Sequence, residues 1–191
     1  MRLYNVLKQV RPQLVCLNET KLQCAMYLDR YWSFQTKTQR SGGTWTASLT
    51  NAKLSMVKTI GTHLCWTQLE IGSHRIQVLN CYLEPGEQQE LKDRTKRVTD
   101  IVRDIIRQDV TAPIIVCGDF NNHMQMVSDV LSCCNFAAAI ATGTETHRQG
   151  NHLDQVYARN IDIVAAGVSD GYDEEISDHK CLKVTLRLKQ H

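Results

Sequence analysis

Apolar residues recur at helical spacing in two stretches of the chain and at every second position in several others. Residues 3–10 (LYNVLKQV) have the helical pattern, and Pro12 closes it because the residue before a proline is kept out of the helical conformation. Residues 14–17 read as a short buried strand. A turn at Ser41, Gly42 and Gly43 leads into strand-like stretches near 44–49, 54–60 and 64–71. Residues 75–83 (RIQVLNCYL) are rich in the branched and aromatic side chains that suit a pleated sheet. After Pro85 and Gly86 a long helix is predicted over 87–108. Leu91, Val98, Ile101, Val102, Ile105 and Ile106 share its apolar face, and its bases lie mostly off that face. Residues 114–117 are four consecutive apolar positions, as in a strand covered on both sides. Further strands are expected near 153–158 and 161–168, and residues 181–189 (CLKVTLRLK) alternate as a half-exposed strand does. Strands dominate with helices interspersed, so the fold class is α/β or α+β, one layered domain over residues 1–191.

Composition narrows the function classes. A chain of 191 residues with 42% hydrophobic content can bury a sizeable core, which excludes a wholly disordered or collagenous protein. No apolar run approaches the roughly 18 residues of a membrane span, and residues 1–13 lack the apolar stretch of a secretory leader. The net charge of +2 neither demands nor forbids a nucleic acid partner. Of the eight cysteines, Cys16, Cys81 and Cys117 sit inside apolar runs and no CxxC pair occurs. Reduced thiols in an intracellular protein are expected.

The residues that could carry chemistry stand at strand ends. Glu19 follows LVCL, Tyr82 ends RIQVLNCYL, and Asp119 and Asn121 lie in GDFNN after IIVCG. Asp154 sits in NHLDQVY, and Asp178 and His179 form SDHK before the last strand. Taken singly, each is what a turn, a helix cap or a core aromatic supplies. Together they form a set that could converge on one rim of a sheet. Several carboxylates at one point repel, and a bound divalent cation is the usual remedy; oxygen-rich ligands favour Mg²⁺ or Mn²⁺ over zinc.

The ordered blocks LVCLNET, GGTWTASL, NCYLEPG, IIVCGDFNN, HLDQVY and SDHK resemble the endonuclease/exonuclease/phosphatase superfamily from about residue 3 to residue 189. The wording LNETKL and THRQGNHLDQV is most similar to the endonuclease domains of LINE-type (non-LTR) retrotransposons, themselves similar to apurinic/apyrimidinic endonucleases. The resemblance implies a four-layered αββα sandwich with two packed mixed sheets. It also implies a Mg²⁺-dependent DNA-nicking hydrolase, Mn²⁺ serving as an alternative, within a nuclear retroelement protein whose reverse transcriptase lies downstream. By motif, Glu19 would be the principal metal ligand and Asp178 a second. Asp119 would align or deprotonate the attacking water, and Asn121 would hydrogen-bond the nucleophile or the scissile phosphate. His179 would contact a phosphate oxygen and be held by Asp154. Tyr82 would donate to the phosphate or the leaving oxygen.

Two departures accompany the resemblance. Asn18 stands where the family usually has Gln, and the family's first strand, with an Asn that orients the catalytic Asp, has no counterpart in these 191 residues. Two other readings therefore stand beside the nuclease: a non-catalytic binding or scaffold member of the same fold, and a phosphatase acting on a small molecule. For nucleic acid contacts the expected residues are Lys37, Arg40, Arg94, Lys96 and Arg97, with Trp45 as a stacking or wedge residue or a packing one.

Overall fold

The computed structural model describes residues 2–20, 30–36, 42–170 and 177–189. Lys37 and Arg40 lie outside the described residues. The elements run α1 (Arg2–Val10), β1 (Leu14–Asn18), β2 (Tyr31–Gln35), β3 (Thr44–Leu49), β4 (Lys53–Ile60), β5 (Leu64–Ile71) and β6 (His74–Tyr82). They continue with α2 (Gln88–Gln108), β7 (Ile114–Asp119), α3 (Met124–Cys133), β8 (Ala137–Ala138), β9 (Asp154–Arg159), β10 (Ile161–Val168) and β11 (Leu182–Leu188).

One sheet has six strands in the order β4-β5-β6-β7-β9-β8; the layer facing it is built from β1-β3-β2 and the β10-β11 hairpin. The period of two along each strand decides what each face meets. In β7, Ile114 and Val116 turn to one side and join Val98, Ile101, Val102 and Ile105 of α2 and Val127 and Leu131 of α3. Ile115 and Cys117 turn to the other side, among Leu14 and Cys16 of β1 and Leu186 and Leu188 of β11. That double coverage is why residues 114–117 are uniformly apolar. On the far side of the second layer, Leu7 of α1 packs on Val15, Trp45 and Ala47. The layers are therefore helix, sheet, sheet, helix, the αββα sandwich.

Most sequence-based boundaries hold within a residue or two. β2, α3 and β8 were not expected, and β1 extends to Asn18. No two of the described cysteines are bridged. Among the described residues no helix is long and apolar enough to cross a membrane.

Candidate active site

Three strand ends meet in one row. Tyr82 at the end of β6 pairs in register with Asp119 at the end of β7, and Asp119 pairs with Asp154 at the start of β9. Residues directly opposite on neighbouring strands project to the same face about 5 Å apart, so this register alone gathers a phenol and two carboxylates. The face is the one turned toward the second layer, because Cys117 and Val156, two residues from Asp119 and Asp154, lie in the core between the sheets.

From that layer comes Glu19, one residue past β1, in a left-handed backbone conformation with φ of +49°. Asn121 has a similar φ of +47°. Such conformations cost energy outside glycine and concentrate at functional sites. Burial, the neighbouring carboxylates Glu19, Asp119 and Glu84, and a hydrogen bond to Glu19 all hold the Tyr82 phenol protonated, well above its ordinary pKa. The hydroxyl is therefore a donor, directed at Glu19 in this state.

His179 lies between the two aspartates. Its Nδ1 is 2.7 Å from Asp154 Oδ2 and its Nε2 is 3.9 Å from Asp119 Oδ2. Burial opposes charge on the ring, but the hydrogen bond and charge of Asp154, followed by Asp119 and Asp178, raise its pKa to about 9. At neutral pH the ring is held as an imidazolium, with its Nε2–H on the Asp119 side. Asp119 shows the opposite tension. Burial and the charge of Asp154 push its carboxyl up to about 7, against the pull of His179 and the Asn121 N–H. That N–H donates to Asp119 Oδ1 at 3.0 Å, leaving Oδ2 toward His179. The Asn121 side chain donates one amide hydrogen to the Leu83 carbonyl at 3.0 Å, which ties the end of β7 to the end of β6.

Asp178 sits beside this group and not inside it. Asp119, Asp154 and His179 form one cluster of candidate metal-ligating atoms, and His147, Asp178 and His179 form another, joined through His179. Burial works against ionisation of Asp178, yet its own backbone N–H and His147 hold its carboxyl below the ordinary value. His147 lay inside the quoted motif THRQGNHLDQV without a role. Its signal was a histidine directly after a threonine that is itself a hub: Thr146 Oγ1 accepts the N–H groups of Leu153 and Asp154. Asn80, also unassigned, is fully buried and donates to the Leu17 and Trp45 carbonyls and to Thr46, binding the two sheets together beneath the rim.

A cavity of about 280 Å³ opens beside Tyr82, lined by His63, Leu64, Leu83, Arg94 and Arg97 among others. The expected nucleic acid residues divide here. Arg94 is committed to the carbonyls of Glu84 and Pro85 and to the carboxylates of Glu84 and Glu90. Lys96 pairs with Asp100 on the outer face of α2. Arg97 is exposed and makes no ion pair among the described residues. For Trp45 the stacking or wedge reading is corrected and the packing one holds: at 0% exposure beneath α1 its ring cannot stack on a base.

The family model described as the Endonuclease/Exonuclease/phosphatase family matches residues 2–179. The chain belongs to this family. No curated protein sequence matches it closely enough to count. Similar solved structures include the endonuclease domain of TRAS1, a telomere-specific non-LTR retrotransposon, at 13% identity. It has a TM-score of 0.73, with 98% of this chain and 91% of that chain covered. They also include the Bacteroides thetaiotaomicron mannosyl-6-phosphatase, with 12% identity, a TM-score of 0.72, and 97% and 89% covered. A third is D. rerio TDP2 complexed with single strand DNA product, with 13% identity, a TM-score of 0.69, and 97% and 90% covered. At these identities the likeness is one of fold. In this chain the row Tyr82, Asp119 and Asp154 lies on the rim of the sandwich, with Glu19 one residue past β1 and His179 three residues before β11.

Proposed function

We propose that the chain is a divalent-metal-dependent phosphodiesterase that nicks double-stranded DNA, as the endonuclease part of a retroelement protein with a reverse transcriptase as its covalent partner. The observation that carries the reading is the geometry of His179, bound through Nδ1 to Asp154 at 2.7 Å and turned with Nε2 toward Asp119. That arrangement sets a proton donor and a proton acceptor on either side of one small space.

The residues present fit a hard cation. Burial, then the charge of Asp154 and, least, that of Glu19 push the Asp119 carboxyl up to about 7, and Glu19 and Asp178 offer oxygen donors with no thiolate nearby. Glu19 and Asp178 would hold Mg²⁺ or Mn²⁺. When bound, the ion neutralises charge on the phosphoryl and departing oxygens. The chain's own groups do the rest. Asp119 Oδ2, with its other oxygen clamped by the Asn121 N–H, takes the proton of the attacking water. Asn121 keeps one amide hydrogen and its carbonyl oxygen to orient that water. His179 donates through Nε2 to a non-bridging oxygen, and Asp154 holds the ring in the orientation that allows it. Tyr82 turns its hydroxyl from Glu19 to the phosphate or to the leaving oxygen.

The purified chain is expected to convert supercoiled plasmid to nicked circles with Mg²⁺ or Mn²⁺ and to lose this activity in excess EDTA. Full activity in EDTA would sink the reading. Glu19→Gln should raise the Mg²⁺ concentration for half-maximal rate, because a charged ligand becomes neutral, and a metal titration of both proteins measures it. Phosphate contacts release counterions, so binding should weaken steeply with salt. Arg97→Ala should flatten the slope of log affinity against log salt by about 1, as loss of one phosphate contact does. An unchanged slope would remove Arg97 from the interface.

A phosphatase acting on a small phosphorylated molecule is the second reading. It is favoured by the cavity of about 280 Å³ beside Tyr82, which is of a size for a sugar phosphate. Phosphate release from a hexose phosphate without plasmid nicking would select it.

A further inference from the structure

His147 has its two ring nitrogens engaged in ways that fix its proton. Nδ1 accepts the backbone N–H of Gln149 at 3.2 Å, so the lone pair is there and the proton is on Nε2. That Nε2 lies 3.2 Å from Asp178 Oδ2 and therefore donates to it. The ring packs edge-on against His179, with centroids 4.7 Å apart. His147, Asp178 and His179 have donor atoms close enough to share an ion. The tautomer argues against His147 as a ligand, because the nitrogen facing the others carries a hydrogen.

The backbone makes this contact rigid. His147 and His179 form an isolated antiparallel bridge, Lys180 N–H donates to the Thr146 carbonyl at 2.7 Å, and Arg148 N–H donates to the Asp178 carbonyl at 3.0 Å. The His147 side chain is only 11% exposed, whereas that of Asp178 is 47% exposed. A carboxylate half in water rotates freely unless something holds it, and the described structure gives it a buried imidazole.

We infer that His147 is a positioning residue: it holds the Asp178 carboxylate in one rotamer and braces the face of His179, so that the cation site meets an already ordered ligand. The inference rests on the reading of Asp178 as a cation ligand. It makes two histidine–carboxylate couples side by side, His179 with Asp154 for the phosphate and His147 with Asp178 for the metal. Partners of this kind typically change metal affinity by about 10- to 100-fold.

Two variants of the full chain separate the hydrogen bond from the packing. His147→Phe keeps a ring against His179 and loses the donor; His147→Gln restores an N–H near the Nε2 position. Mn²⁺ binding is read by calorimetry without substrate, and the Mg²⁺ midpoint and KM for plasmid are read by nicking. His147→Phe should weaken Mn²⁺ binding and raise the Mg²⁺ midpoint about 10-fold, with KM for DNA unchanged, and His147→Gln should recover most of both. Equal losses in the two variants, or none in either while Glu19→Gln shifts the midpoint, would overturn the role of His147 and leave the metal reading intact. Failure of the unaltered protein to bind Mn²⁺ would instead overturn the metal reading. If His147→Phe fails to fold, His147→Gln against Asp178→Asn decides: the inference requires near-normal metal binding in the first and weak binding in the second.

Discussion

His179→Ala is expected to lower turnover by about a thousandfold, because it removes the donor for the phosphate oxygen and the partner that faces Asp119. Asp154→Asn should cost about ten- to a hundredfold, since the imidazole survives without its orienting charge. The double variant should be within a few-fold of His179→Ala alone, because residues acting as one unit are not additive. Multiplying losses would show that the two act separately. The pH profile carries a second signature. Asp119 must be deprotonated to accept a proton and its carboxyl lies at about 7, so the rate should rise as pH increases through that region. His179 must be protonated to donate and titrates at about 9, so the rate should fall above it. The charge of Asp154 raises both values, and Asp154→Asn should move both limbs to lower pH. The metal-free protein has a matching stability dependence. Each group has a folded pKa above its unfolded one, near 3.8 for the aspartate and 6.5 for the histidine. Their contributions are complete below those unfolded values and are lost as pH rises through about 7 and about 9. Between about pH 4 and pH 9 these two groups should therefore lower the melting temperature as pH rises, a trend that thermal scans of the protein beside Asp154→Asn would test.

Gly118→Ala is expected to be among the most destabilising single changes in the chain. Gly118 precedes Asp119 with φ of +144°, and a Cβ there would come 1.8 Å from the Cys81 carbonyl oxygen and 3.0 Å from the Asn18 side chain. The first obstacle is the backbone of β6, paired in register with Gly118, so it cannot move aside without breaking the parallel ladder. Strain from the backbone conformation and from overpacking should together cost about 3 kcal/mol or more. For a protein of this size that lowers the melting temperature by roughly 6–12 °C. Activity should fall further than stability, because the two strand ends pushed apart carry Asp119 and Tyr82. A displacement of about 1 Å can cost roughly a hundredfold in rate. A melting temperature within a degree of the parent would show that the sheet tolerates the methyl group.

Much of this protein was legible along the chain because local periodicity records which side of an element avoids water. The helix α2, the doubly buried β7 and the half-exposed β11 followed from the spacing of apolar residues alone. The strand-end positions of Glu19, Tyr82, Asp119, Asp154 and His179 followed from where the apolar runs stop. Periodicity does not record what covers an apolar face. Trp45 in GGTWTASL has the same local pattern whether solvent, a base or a helix lies over it, and only the docking of α1 seals it. β2 is a five-residue stretch on the edge of its sheet, defined mainly by its pairing with β3, which no period within the stretch records. Register is the larger omission. That Tyr82, Asp119 and Asp154 stand in one row depends on β6 and β7 pairing parallel and β9 antiparallel, and a slip of one residue would turn Asp154 to the helix side. The partners of single polar groups were likewise decided in three dimensions. Arg94 turned inward to Glu84, and His147 met Asp178 across 31 residues, since a hydrogen bond depends on distance and angle and leaves no period in the sequence.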